Sequence, residues 1–217
     1  MWIGAKSSIF LIRMNQSMNN LNRIYTQDVA EYARRYFKYL KEILDSIDPE
    51  SIAQFVDLLL DARARNANIF FVGNGGSAAT ASHFANDLGV GTRSYARPFR
   101  AISLTDNLPV ITALANDYGY EEIFVRQLKI LGRNGDILIA ISASGNSPNL
   151  VEAMEYASNS KITTVAITAF DGGKMKKIAN MGIHVPTKQK EYGPAEDAHM
   201  VLDHLVSGYL MRYIKNG

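Results

Sequence analysis

From residue 68 onward, short apolar runs alternate with segments of helix length, and this alternation restricts the fold more than any other feature of the chain. The apolar runs cover residues 68–73, 100–104, 136–142, 163–168 and 182–187. The helical segments between and after them cover residues 77–90, 107–115, 120–131, 147–159, 172–180 and 195–214. Continuously apolar runs are typical of strands buried on both faces. The pattern predicts a three-layer α/β sandwich with a five-stranded parallel sheet.

Two further helices are predicted before the sheet. Residues 27–45 carry apolar side chains at helical spacing, and a second helix begins at Asp48 and Pro49, which suit a cap and a first turn. Because isolated amphipathic helices are marginally stable, both should pack on the core or on another subunit.

The N-terminal residues do not continue this pattern. We expect residues 1–20 to form a loose extension, within which Met14 or Met18 is an alternative start. The remainder, residues 21–217, shows no linker and is predicted to be a single domain.

Composition excludes several classes of protein. The chain has no cysteine, which excludes disulfides, a thiolate nucleophile and cysteine-based metal sites. Its 23 basic and 21 acidic residues leave a net charge of only +2, so nucleic acid is not an expected partner. The apolar runs are far shorter than the roughly 20 residues of a membrane span, and there is no secretory signal pattern. We expect a cytoplasmic protein without a membrane partner.

Two loops are candidates for ligand binding. Residues 73–77 (GNGGS) and 142–147 (SASGNS) each follow an apolar run and open a helix. Ligands of parallel sheets bind beyond the carboxyl ends of the strands, and the N-terminus of a helix favours an anion. One such turn is usually structural, but two at equivalent positions indicate a phosphorylated ligand.

A dinucleotide site is the competing interpretation, because Gly73, Gly75 and Ala78 match the relaxed G-x-G-x-x-A pattern. That pattern expects an acidic residue about 20 positions further on. The corresponding region, residues 95–98, reads YARP, and the first acid is Asp106. The serine-rich second loop also has no role in that interpretation, which is therefore less favoured.

Titratable side chains cluster on two of the predicted helices. His83 and Asp87 are four residues apart and share a helix face. The otherwise apolar last helix carries acids and histidines near its start, including Glu196, His199, Asp203 and His204. These side chains form either a solvated charged face or part of a site, and proton transfer is the chemistry they can supply.

Five segments resemble the successive motifs of the sugar isomerase (SIS) domain, in particular its phosphoheptose isomerase group. They are GNGGSAATASHFANDL, ANDYGYEEIF, ISASGNSPNLVEA, TAFDGGKM and EDAHMVLDHL, in order within residues 50–214. The resemblance implies a SIS-type fold and isomerisation of sedoheptulose 7-phosphate to D-glycero-D-manno-heptose 7-phosphate through an enediol. This is the first step of heptose synthesis for bacterial surface glycans such as lipopolysaccharide or capsule. It also implies a cytoplasmic homotetramer with sites between subunits.

The resemblance also assigns roles to individual residues. Substrate contacts are implied for Asn74, Gly75, Gly76, Ser77, Asn116, Asp117, Ser142, Ala143, Ser144 and Ser147. Acid/base roles are implied for Asp87, Glu196 and His204, and a zinc site for His83, Asp87, Glu196 and His204. Such an ion would stabilise the enediolate as a Lewis acid.

The chain departs from the family pattern at several of these positions. It has Asp87 where a Glu is expected, Glu196 where a Gln is expected, and Gly91 in place of an Arg, for which the nearby Arg93 is a substitute. Glu196 and His204 are also eight residues apart, or about 12 Å on a continuous helix. Both reach one ion only if the helix start is frayed.

Two other functions stay open. SIS domains also serve as non-catalytic binding modules, including a replication-initiator-binding protein that resembles phosphoheptose isomerases. Such a module does not need the pair Asp87 and His204, whose presence favours catalysis. The third possibility is an isomerase for another sugar phosphate.

Overall fold

The computed structural model describes residues 19–216 as an α/β protein. The first part of the chain forms α1 (Asn20–Ile24), α2 (Val29–Asp45), α3 (Pro49–Arg65), β1 (Asn68–Gly73), α4 (Gly76–Asn86), a π-helical turn (Asp87–Gly91) and β2 (Arg100–Ser103). The middle part forms α5 (Leu108–Tyr118), a 3₁₀ turn (Tyr120–Glu122), α6 (Val125–Leu131), β3 (Ile137–Ser142) and α7 (Pro148–Asn159). The last part forms β4 (Thr163–Thr168), α8 (Gly173–Ile178), β5 (Met181–His184) and α9 (Tyr192–Asn216). None of the described helices combines the length and apolarity that crossing a bilayer requires.

The five strands form one parallel sheet in the order β2-β1-β3-β4-β5. Strand β1 therefore lies between β2 and β3, and its last residue, Gly73, pairs with Ile141 of β3. The loops that follow β1 and β3 consequently leave the sheet side by side. The predicted fold class, including the two helices that precede the sheet, is confirmed.

The sheet separates two hydrophobic cores. Because successive side chains of a strand point to opposite faces, Ile69 and Phe71 pack with α2, α3, α4 and α9, while Phe70 and Val72 pack with α5 to α8. All four side chains are fully buried. Burial on both faces explains why β1 is apolar at consecutive positions and not only at alternate ones.

Phe84 fixes helix α4 against the sheet. It is fully buried, with its ring centroid 5.0 Å from that of Phe71 and 6.0 Å from that of Phe55 on α3. Burial of a phenylalanine contributes about 1.5–3 kcal/mol. The helix that opens at the first glycine loop is therefore held in a defined orientation.

Several predicted boundaries differ from the observed ones. The predicted helix 77–90 ends at Asn86 and continues as the π-helical turn, and the predicted helix 120–131 is divided into a 3₁₀ turn and α6. The last helix begins at Tyr192, three residues earlier than predicted. Pro194 lies in its first turn, where backbone N–H groups have no intrahelical acceptor and proline is tolerated.

The described part of the predicted extension is bound to the rest of the protein. Asn19 caps the unpredicted helix α1, and its side-chain amide donates to the carbonyl oxygen of Gln189 at 3.2 Å. The backbone N–H of Asn20 donates to Oε1 of the buried Glu191 at 2.6 Å. Residues 19 and 20 of the predicted extension are thus bonded to the rest of the protein, and residues 1–18 lie outside the described residues.

His199 is a buried histidine on the core side of α9. Its side chain is 1% exposed, and neither ring nitrogen has a hydrogen-bond partner in the described part of the chain. Burial lowers its pKa to about 4, from an ordinary value of 6.5. The unfolded chain therefore binds a proton at this residue at a higher pH than the folded protein does.

We predict that His199 makes the fold sensitive to acid. Its contribution is fully present above the unfolded pKa of 6.5 and is lost as pH falls toward the folded pKa of about 4. Between pH 7 and pH 5, the free energy of unfolding should fall by about 2 kcal/mol more in the wild type than in His199→Leu. Urea unfolding of both proteins at both pH values measures this difference. An equal pH dependence of the two proteins would contradict the assignment.

Candidate active site

A pair of asparagines joins the two predicted ligand loops. The Asn74 amide donates to Oδ1 of Asn149, and the Asn149 amide donates back to Oδ1 of Asn74, both at 2.9 Å. The hydroxyl of Tyr120 donates to the same Asn74 oxygen at 3.0 Å. The hydrogen bonds of the Asn74 side chain therefore hold the two loops together. Asn149 is 1% exposed, and neither it nor Tyr120 was identified from the sequence.

The first loop presents backbone N–H groups to an open space. Gly75 is the N-cap of α4 with φ +55° and ψ −123°, and no atom lies within 4 Å of where its Cβ would be. The N–H groups of Gly76 and Ser77, at the start of α4, precede the first intrahelical hydrogen bonds. The loop is suited to an anion such as a phosphate.

The second loop is held by its own serine side chains. Ser142 Oγ accepts from the N–H of Gly145 at 3.1 Å, and Ser144 Oγ accepts from the N–H of Asn146 at 3.3 Å. Ser147 is the N-cap of α7 but makes no capping hydrogen bond with its side chain. Hydroxyl protons of this loop remain available for the oxygens of a ligand.

The segment after β4 fixes the position of the second loop. Gly145 has φ +62°, and a Cβ at this position would lie 2.0 Å from the carbonyl oxygen of Gly172. Ala143 is buried, and its carbonyl accepts from the N–H of Ala169 at 3.1 Å. Ala143 therefore helps to position the second loop. The TAFDGGKM motif contacts that loop through Ala169 and Gly172.

Helices α4 and α9 lie side by side with the same direction. Glu196 approaches Gly76 so closely that a Cβ there would lie 2.3 Å from Glu196 Oε2. Nε2 of His83 and Nε2 of His204 are 3.3 Å apart. The second contact lies seven residues after the first on α4 and eight residues after it on α9. Glu196 thus lies at the level of the first loop, and the two histidines lie about 10 Å further along.

A cluster of two histidines and two aspartates forms where the helices meet. Ligand atoms of His83, Asp87, Asp203 and His204 all lie within 4.8 Å of one another. His83 Nε2 is 3.4 Å from Asp87 Oδ2, and a surface cavity of about 230 Å³ lies beside Asp87 and His204. The cluster contains three of the four residues predicted to hold a metal, together with Asp203. Glu196 lies outside it, because α9 is continuous from Tyr192 and separates Glu196 from His204 by two turns.

Burial perturbs the acids Glu196 and Asp203 of α9. Asp203 is fully buried, and neither carboxylate oxygen has a hydrogen-bond partner among the described residues. Burial and, second, the charge of Asp87 raise the pKa of Asp203 to about 7. The pKa of Glu196 is also raised, first by burial and then by Asp197.

The donor atoms of the cluster fit a divalent cation. Imidazole nitrogen and carboxylate oxygen are both zinc ligands, with bonds of about 2.0–2.2 Å. A tetrahedral ion at that distance sets its ligand atoms about 3.3–3.6 Å apart. The separations of 3.3 Å between His83 and His204 and 3.4 Å between His83 and Asp87 match this requirement.

Three residues discussed at the sequence level lie apart from the loops and the cluster. Asn116 and Asp117 are exposed on α5, and their side chains bond to each other at 2.9 Å. Within residues 19–216, no hydrogen bond connects either of them to the two loops. Arg93 has φ +53° and lines a separate cavity next to Met211, without an ion pair to the cluster in the same range.

Comparison with known proteins identifies the fold and then the family. Residues 32–169 match the SIS domain. A phosphoheptose isomerase from Helicobacter pylori strain P12 is 38% identical over 174 residues, which are 80% of this chain and 89% of that protein. One from Akkermansia muciniphila is 41% identical over 167 residues, or 76% and 87% of the two chains. The solved phosphoheptose isomerase of Neisseria gonorrhoeae superposes with a TM-score of 0.74 at 31% identity, covering 84% and 96%.

The protein belongs to the phosphoheptose isomerase family of SIS-domain proteins. This confirms the family predicted from the five motifs and the prediction that the chain is a sugar-phosphate isomerase, and it does not favour the alternative of a non-catalytic binding module. Both loops that the strand pattern indicated lie within the matched region.

We predict that Gly75→Ala destabilises the protein through backbone strain alone. The φ of +55° disfavours any residue with a Cβ, while the space around it is open. The expected loss is about 1–3 kcal/mol in the free energy of unfolding. Gly89→Ala is the matched control, since its new Cβ would meet only ordinary contacts at 3.8 Å and its φ is not positive. Equal unfolding midpoints for the two variants would refute the strain argument.

Proposed function

We propose that the protein interconverts sedoheptulose 7-phosphate and D-glycero-D-manno-heptose 7-phosphate. The names of its relatives supply the reaction, and one observation in this chain supports it. The first loop of a phosphate-type pair lies at the start of α4, and a titratable cluster lies about 10 Å further along the same helix. In an open-chain heptose 7-phosphate, the phosphate and the C1–C2 unit are at opposite ends. A ligand of this kind suits two separated subsites.

The loop pair binds the phosphate in this proposal. Backbone N–H groups of Gly76 and Ser77 and hydroxyls of Ser144 and Ser147 provide donors from both loops. Charge-assisted hydrogen bonds of this type are shorter and roughly twice as strong as neutral ones. Asn74 acts by keeping the two loops together through Asn149.

The cluster performs the proton transfer. Isomerisation requires a base that removes a proton from C1 of the ketose and returns it to C2, while a hydroxyl proton passes from O1 to O2. Asp87 is the carboxylate beside His204 and the cavity, so it takes the role of the carbon base, and His204 serves the oxygens. Glu196, the other predicted base, lies at the level of the first loop and borders the phosphate end.

A divalent cation, for which zinc is the proposed ion, completes the site. His83, Asp87 and His204 are the residues that would hold it, with nitrogen and oxygen ligands that suit zinc. When bound, the ion supplies Lewis-acid stabilisation of the enediolate oxygens. Asp87 Oδ1, which is not the oxygen paired with His83 Nε2 and which accepts a hydrogen bond from the Asn86 amide at 3.1 Å, is the oxygen proposed to accept the carbon proton.

The quaternary structure is part of the same proposal. A row of exposed apolar and aromatic side chains follows α9 at intervals of four residues, comprising Val201, Leu205, Tyr209 and Tyr213. Contiguous exposed apolar surface of this kind marks an interface. The row supports self-association, which we propose is a homotetramer with sites between subunits. The family resemblance is the ground for the further proposal that the enzyme acts in the cytoplasm and supplies heptose for surface glycans. Exposed Asn116 and Asp117 would then meet the substrate of a neighbouring subunit.

The reaction itself is tested with sedoheptulose 7-phosphate and purified protein. We expect an aldose 7-phosphate as product, and a loss of about 10²–10⁴-fold in kcat for Asp87→Asn and for His204→Ala. Asp57→Asn, an exposed acid on α3, is the charge-matched control and should keep full activity. Wild-type activity in either cluster variant would refute the assigned roles. If the protein converts only a different sugar phosphate, the proposed substrate is wrong and that compound takes its place.

The phosphate subsite is tested separately with Ser144→Ala. Loss of one hydrogen bond to a charged group costs about 1.5–3 kcal/mol, so KM should rise by roughly tenfold or more while kcat changes little. Ser158→Ala lies at the exposed far end of α7 and is the matched control. An unchanged KM for Ser144→Ala would count against the second loop as the phosphate site.

A further inference from the structure

Asp203 is a charged side chain for which the rest of the described chain provides no partner. It is fully buried on α9, and both carboxylate oxygens lack a hydrogen bond within residues 19–216. Its neighbour Asp87 carries the same charge, and Asp87 in turn has only His83 as an ion-pair partner in that range. Burial of an unpaired carboxylate is costly, so such groups are normally paired or coordinate a metal.

The atoms that face Asp203 are those of the titratable cluster. One of its carboxylate oxygens lies within 4.8 Å of the ligand atoms of His83, Asp87 and His204. Two of the distances in this group, 3.3 Å and 3.4 Å, already equal those between neighbouring ligands of a tetrahedral ion. The remaining ligand atoms lie within 4.8 Å of these. A cation at the centre of the group would provide Asp203 with its missing partner.

We propose that Asp203 is the fourth protein ligand of a divalent cation, together with His83, Asp87 and His204. The site is then complete within one chain, built from α4 with its π-helical turn and from α9, and it does not require Glu196. Two aspartates balance the two positive charges of the ion. The inference concerns the site of the proposed isomerase, but ion binding is measured without substrate and does not depend on the reaction.

The test is zinc binding by the full-length protein after removal of metal with a chelator. Competition titration against a chromogenic chelator gives the affinity, and the visible absorption of bound Co²⁺ reports a tetrahedral site. Loss of an outer-shell partner alone weakens metal binding by about 10–100-fold. We therefore expect Asp203→Asn, which removes a ligand, to bind Zn²⁺ at least about 100-fold more weakly and to lose the tetrahedral Co²⁺ bands.

Glu196→Gln is the matched control, because it changes a carboxylate to an amide on the same helix outside the cluster. It should bind Zn²⁺ within about twofold of the wild type. Equal affinity of Asp203→Asn and the wild type would overturn the inference. So would a loss of binding in Glu196→Gln as large as that in Asp203→Asn.

Two controls test whether the variants fold correctly. They are thermal unfolding without metal and a second variant at the same position. Asp203→Asn and Asp203→Leu remove an unpaired buried charge, so both metal-free variants should unfold at or above the wild-type temperature. At one zinc concentration, zinc should raise the unfolding temperature of the wild type and of Glu196→Gln, and that of either Asp203 variant by clearly less. A zinc-induced rise in both Asp203 variants equal to that of the wild type would refute the inference. Normal zinc binding without any isomerase activity would instead refute the proposed function alone.

Discussion

The parallel contact between α4 and α9 is the interaction on which the rest of the site depends. Phe84 fixes α4 against the sheet, and the missing side chain of Gly76 lets Glu196 approach the start of the same helix. Two turns further along, His83 meets His204 across the same contact. Residues that are about 120 positions apart in the chain are thus aligned by the packing of two helices. A shift of one helix by a single turn, about 5.4 Å, would separate the two imidazoles.

The sheet provides the second constraint, because it decides which loops can act together. Strands β1 and β3 are not consecutive in the chain, yet they pair directly, so their following loops emerge as neighbours. The mutual amide bonds of Asn74 and Asn149 then connect the first loop to the helix that follows the second. Two loops whose groups are suited to an anion are therefore combined at one place.

The sequence was sufficient to predict the layers of the fold and the two loops, but only part of the cluster. Continuously apolar strands carry a local signal, and His83 with Asp87 shares a helix face at a spacing that needs no tertiary information. The acids of α9 carry no such signal. Glu196 and Asp203 are seven residues apart, and a helical sequence does not state which of its polar positions meets another helix. The choice of Glu196 came from a resemblance, whereas packing places Asp203 in the cluster.

Placing Asp203 in the cluster links the stability of the fold to the occupancy of the site. A buried carboxylate beside a second carboxylate opposes the packing of α9 on α4 as long as both are ionised and unpaired. A cation removes that opposition, so part of its binding free energy stabilises the contact that brings His83 and His204 together. The phosphate loops contain none of the cluster residues and start from the sheet. In the proposed mechanism, binding of the phosphate and assembly of the reaction centre therefore depend on different contacts, with α4 as the element they share.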